Sequence, residues 1–127
     1  MDFYSLFRKT RCCFINARDL LILNKIILYC QRIEENLARY ERNFQAFETD
    51  AMFQDACCMC VIQIGELVSQ LSDEAKAIKP AIPWRDIKDT RNFYVHNYGS
   101  IDVPMVWETV TTDIPLLKTA CEQMLNG

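Results

Sequence analysis

One stretch of this chain gathers side chains that can move protons and hold an anion: Trp84-Arg-Asp-Ile-Lys-Asp-Thr-Arg-Asn-Phe-Tyr-Val-His-Asn-Tyr-Gly99. His96 is the single histidine. Imidazole titrates nearer neutrality than any other side chain, so it suits general acid–base work. Arg91 offers a permanent charge on a planar fork that matches phosphate oxygens. Between Lys76 and Arg91 there are five basic residues (Lys76, Lys79, Arg85, Lys88, Arg91) against two acidic ones (Asp86, Asp89). That local excess sits in a chain of net charge −3 and pI about 5.1. Bulk charge therefore gives no general affinity for nucleic acid, and a polyanion would have to be held by this patch. Arg85 and Lys88 are candidate phosphate contacts.

These parts suit cleavage of RNA. RNA carries its own nucleophile, the 2′-hydroxyl beside the scissile phosphate. The protein must then supply a proton carrier and a cation for the charge that develops on the phosphate oxygens. No metal or cofactor is expected for that chemistry. The chain shows no carboxylate cluster for magnesium, no His pair for zinc, no Gly-rich phosphate loop and no Gly-x-Ser-x-Gly elbow. Cys57-x-x-Cys60 lacks the further ligands a zinc site needs, and no strand precedes it as in redox motifs, so it reads as a pair of buried thiols. Spacing adds a constraint. On a regular helix Arg91 and His96 lie about 140° apart. Either the helix unwinds near His96, or a second copy of the chain completes the site in a symmetric dimer. Taken by itself, an Arg and a His at this spacing are commonplace. Such a His is more often a helix-end or surface residue, and Tyr98 alone would be a packed aromatic with its hydroxyl at the surface.

The elements that must carry these residues are helical. Leu20, Leu23, Ile26, Ile27, Cys30, Ile33, Leu37 and Tyr40 recur at three- and four-residue steps, with Asp19 as a plausible N-cap. Phe53, Ala56, Cys57, Cys60, Ile64, Leu67, Val68 and Leu71 make the stripe of a second helix, from Thr49 or Asp50 to Ser72. Gly65 within it predicts close approach by a neighbour. Pro83 suits the opening of a third helix, which ends near His96–Gly99. Asp102 caps a fourth, with Pro104 in its first turn. Val103, Trp107, Val110, Ile114, Leu117, Cys121 and Met124 line its face, and Pro115 predicts a kink or break near Thr112–Asp113. Four amphipathic helices with mostly short connections imply an all-α, up-and-down four-helix bundle.

A chain of 127 residues, 50% hydrophobic and 24% charged, with three Gly and four Pro, is sized for one folded domain. Residues 1–18 show no clean period and read as an N-terminal extension; 19–127 form the domain. The most apolar run, Leu20 to Cys30, is interrupted by Asn24 and Lys25, so no membrane span is expected. Seven cysteines, most of them on helical stripes, fit free thiols in a reducing compartment, hence a cytoplasmic protein.

Arg91, four residues, His96, one residue and Tyr98 together resemble the Arg-x4-His-x-Tyr signature of the HEPN ribonucleases of the HepT toxin family. Ile64-Gly65-Glu66, Ile82-Pro83-Trp84, Arg91-Asn92, Ile101-Asp102, Trp107 and Ile114-Pro115-Leu116 resemble further family positions, from about Asp19 to Leu125. The resemblance implies a HEPN-type bundle acting as a homodimer. The implied activity is that of a metal-independent endoribonuclease toxin in a type VII-like toxin–antitoxin pair. Carried over, Arg91 engages the phosphate, His96 is general acid or base, and Asn92 is accessory. The implied partner is an MntA-type nucleotidyltransferase antitoxin that adds AMP to Tyr98. Such a group would put bulk and negative charge into a site built for RNA phosphate. The competing reading is a non-catalytic HEPN-like dimer that scaffolds a nucleotidyltransferase.

Overall fold

The computed structural model describes residues 15–96 and 102–127; of residues 91–96 it describes the backbone alone. Every regular element among the described residues is helical. They are α1 (Ala17–Arg39), α2 (Phe44–Thr49), α3 (Ala51–Gln70), α4 (Asp73–Ile78), α5 (Trp84–His96), α6 (Val103–Glu108), a π-helical turn (Thr109–Asp113) and α7 (Ile114–Asn126). Four long rods result: α1, α3, α5, and the α6–π–α7 run. α3 packs against both α1 and α5, and α7 closes on α1. The short α2 and α4 fill the connections after the first and second rods.

Capping chemistry sets the boundaries. α1 starts two residues before Asp19, and Asn16, not Asp19, is its N-cap. The Asn16 side chain accepts from the Asp19 N–H at 2.8 Å, and the Asp19 carboxylate reaches back toward the Asn16 N–H. Asp19 is thus the third residue of a reciprocal capping box. Its burial explains the difference from a simple cap. Only 1% exposed, it also accepts from the Ser72 N–H at 3.0 Å and the Ser72 hydroxyl at 2.6 Å. Ser72 in turn N-caps α4 through the Ala75 N–H at 3.1 Å. One carboxylate therefore ties the start of α1 to the α3–α4 corner.

After α1 the chain turns through Glu41 and Arg42, both at φ 53°, and the Arg42 N–H returns to the Leu37 carbonyl at 2.8 Å. Two successive non-glycine residues in the left-handed region are strained, and the returning bond helps to hold them. Asp50 caps α3 by accepting from the Met52 and Phe53 N–H groups. Asp102 caps α6 by accepting from Met105. Ahead of Pro115 the backbone widens into the π turn, with the Ile114 N–H donating to the Thr109 carbonyl. Proline has no N–H for the Thr111 carbonyl and its ring would press on it, so an extra residue in the turn relieves both problems.

The core joins Leu23, Ile26, Ile33 and Leu37 of α1 to Phe53, Ile64 and Val68 of α3 and to Val106, Val110, Leu117 and Met124 of the last rod. Leu20, expected on the stripe, is exposed, and Ile22 takes its place. At one end Phe53 stacks on Tyr40 at 4.1 Å, meets Phe47 edge-on at 4.9 Å, and shares Trp107 with Phe44 and Phe47. Such offset and edge contacts add to simple burial. α3 is long and apolar enough to cross a membrane by length and composition, a feature the eleven-residue run does not reveal. In this fold it packs against both α1 and α5, while Met52 and Met59 on it are exposed. The described cysteines, Cys30, Cys57, Cys58, Cys60 and Cys121, are free and buried.

Candidate active site

α5 carries the sequence motif, and its placement begins at Trp84. Ile82 closes a turn through Pro80 by donating its N–H to the Lys79 carbonyl at 3.1 Å. The Trp84 N–H then donates to the Ile82 carbonyl at 2.8 Å, across Pro83. The Pro83 carbonyl accepts the first helical bond, from Ile87 at 3.1 Å. The indole is buried, and its Nε1–H donates to the carbonyls of Lys76 and Lys79 at 3.1 and 3.0 Å.

From this start the helix runs unbroken to His96, and the residues that follow lie outside the described ones. Arg91 stands about two turns beyond Trp84, in the register of that buried residue. Asn92 and His96 fall in the register of Arg85 and Asp89, which are exposed. The backbone thus keeps Arg91 and His96 on different faces of one rod. Arg85 and Lys88 are both exposed on α5. Lys79, counted in the basic excess, donates through Nζ to Gln123 Oε1 at 2.5 Å and is tied to α7. Tyr98 and the expected stop at Gly99 lie outside the described residues.

Alongside α5 runs a groove of about 620 Å³. Val61 and Ile64 of α3 form its floor; Ile82, Ile87 and Thr90 stand on one side, Ile114, Leu117 and Ala120 on the other. Asp86 and Asp113 mark its rim. Partial burial, aided by the nearby Glu108 carboxylate, raises the Asp113 pKa above the ordinary carboxylate value. No single motif announces this groove, because its walls come from three rods separated in sequence. No group of three or more His, Cys, Asp or Glu that could hold a metal ion occurs among the described residues. Burial pushes the Cys57 and Cys121 thiols up to about 12 and Cys58 to about 11. Thiolates are the metal-binding and nucleophilic form, so these groups act as hydrophobic packing.

A family profile described as "Ribonuclease HepT-like" matches residues 26–124. The chain belongs to the HepT-like ribonuclease family. Its four-rod arrangement is accordingly the HEPN type of bundle. Among curated relatives, it is 35% identical over 81 residues to "Probable ribonuclease HepT" of Thermococcus cleftensis, covering 64% of this chain and 74% of that one. A protein of Methanocaldococcus jannaschii named as a gamma-glutamylcyclotransferase and "putative RNase" is 31% identical over 98 residues, 77% of this chain but 43% of that longer one. A "putative RNase" of Caldanaerobacter subterraneus is 26% identical over 104 residues, covering 82% of this chain and 91% of its own. No solved structure matches. The stretch from Trp84 through Tyr98 lies wholly inside the matched residues.

Proposed function

We propose that this chain is a metal-independent endoribonuclease of the HEPN type, acting as the toxin of a toxin–antitoxin pair. Family membership supports the coarse reading. The observation that carries the finer one is the unbroken α5, which holds an arginine and the single histidine at fixed but different bearings on a rod anchored at its start. Arg91 engages the scissile phosphate and offsets charge on its oxygens. His96 moves the proton between the 2′-hydroxyl and the leaving oxygen. Asn92 assists as a polar neighbour, and Arg85 and Lys88 hold flanking phosphates. Because the two chief groups face apart on one helix, a second copy related by twofold symmetry supplies the missing half of each site.

A nucleotidyltransferase of the MntA type adds AMP to Tyr98, two residues past His96, and blocks the site by bulk and charge. The free buried thiols suit a reducing, cytoplasmic setting. The test is cleavage of end-labelled RNA by purified protein in excess EDTA. His96→Ala and Arg91→Ala should each lose on the order of a hundredfold or more in rate, with circular dichroism unchanged. Undiminished cleavage by either variant removes that residue from the mechanism. No cleavage by the unmodified wild type favours the scaffold reading instead.

A further inference from the structure

We propose that Trp84 is a positioning residue for the candidate site. Its indole N–H sets the axial height and rotation at which α5 presents Arg91 and His96. The proposal deepens the ribonuclease reading and rests on it. Trp84 is the first residue of α5 and is 8% exposed. Its Nε1–H is shared between the Lys76 and Lys79 carbonyls at 3.1 and 3.0 Å. Each carbonyl already accepts one backbone N–H, Lys79 N–H at 3.2 Å and Ile82 N–H at 3.1 Å respectively. The indole therefore takes the second lone pair of both. A single donor can serve two acceptors only within a narrow range of ring placements. A phenyl ring would fill the space without that restriction.

The carbonyls it reads are themselves fixed. They end α4, whose N-cap Ser72 is bonded to the buried Asp19 of α1. Lys79 is held to Gln123 of α7. Hydrogen bonds thus refer the first residue of α5 to the end of α4 and, through Ser72 and Asp19, to α1, and the side chain of Lys79 adds a surface tie to α7. Arg91 follows about two turns later in the same register, and a helix is stiff over that length. A slide or twist at Trp84 is passed on to Arg91 and His96. For a reaction sensitive to displacements of about 1 Å, that shift reaches the rate.

The test compares wild type with Trp84→Phe, and with a protein carrying 3-benzothienylalanine at position 84, which keeps the bicyclic shape and lacks the N–H. Two readouts are taken, cleavage kinetics on a short RNA and amide hydrogen exchange by peptide. We expect kcat to fall roughly tenfold or more while KM stays within about twofold, since phosphate affinity is spread over several cations. Exchange should quicken about tenfold in peptides from α5 and stay unchanged in α1 and α3. Wild-type exchange in α5, or a kcat loss no larger than the loss of folded protein, overturns the proposal. If wild type cleaves no RNA, the nuclease reading fails, and the exchange data alone decide whether Trp84 anchors the helix. Should the phenylalanine variant not fold, the benzothienyl protein supplies both readouts.

Discussion

Asp19 shows how much one side chain can carry. A carboxylate with 1% exposure would be costly if bare, yet here it receives two bonds from Ser72 and one from the backbone N–H of Asn16. Removing it leaves the Ser72 N–H without its acceptor in a closed corner. Asp19→Ala should lower unfolding free energy by about 2–3 kcal/mol, measured by urea titration. Asp19→Asn keeps one acceptor oxygen and should lose less. Equal stability of all three proteins would mean that water replaces the carboxylate at no cost. The sequence shows Asp19 only as a helix-start residue, because its partner Ser72 is 53 positions away. Trp84 is hidden in the same way. Pro83-Trp84 can be read as a helix opening, but the two carbonyls that receive the indole carry no sequence signal. By contrast, the divergence of Arg91 and His96 needs nothing beyond their numbers and the helical repeat.

At the scale of elements, periodicity was a sound guide where a rod has one buried face, and poorer where packing comes from several sides. The stripe Leu23, Ile26, Cys30, Ile33 and Leu37 is buried as read. Leu20 is not, because the inward position one turn before Ile22 and Leu23 is taken by the buried Asp19. α2 and α4, each six residues long, are too short to show a period, and the π turn follows from Pro115 only in kind. The seam of α1, α3 and α7 has a consequence for pH. Cys30 senses Cys121 and Cys60 across it, and burial raises all five described thiols above the ordinary value of 9.0. A thiol whose folded pKa lies above its unfolded one adds stability below pH 9, which is lost as pH climbs through the folded value. The urea midpoint should therefore fall steadily from pH 9 toward 11, and a protein with Cys57→Ala, Cys58→Ala and Cys121→Ala should show a shallower fall. Parallel slopes for the two proteins would mean that the thiols ionise equally in folded and unfolded chains.

On the proposed reading, the whole molecule must reconcile a proton carrier, His96, and a phosphate holder, Arg91, set about 140° apart on one stiff rod. On that reading a single copy would offer each substrate oxygen one group or the other. A twofold pair can set Arg91 of one copy against His96 of its partner, twice, across one cleft. This arrangement makes a prediction that a single-chain site does not share. Arg91→Ala and His96→Ala homodimers each lack one group at both sites and should be inactive. Unfolded together and refolded at equal ratio, about half the dimers are mixed. Each mixed dimer then contains one site with both groups and one with neither, so the mixture should recover about a quarter of wild-type activity. If Arg91 and His96 instead served the same site from one chain, every site in the mixture would lack one of them and activity would stay at the level of the parents. Light scattering on the same samples separates the two outcomes from a failure to pair, because a monomeric wild type would remove the composite site altogether.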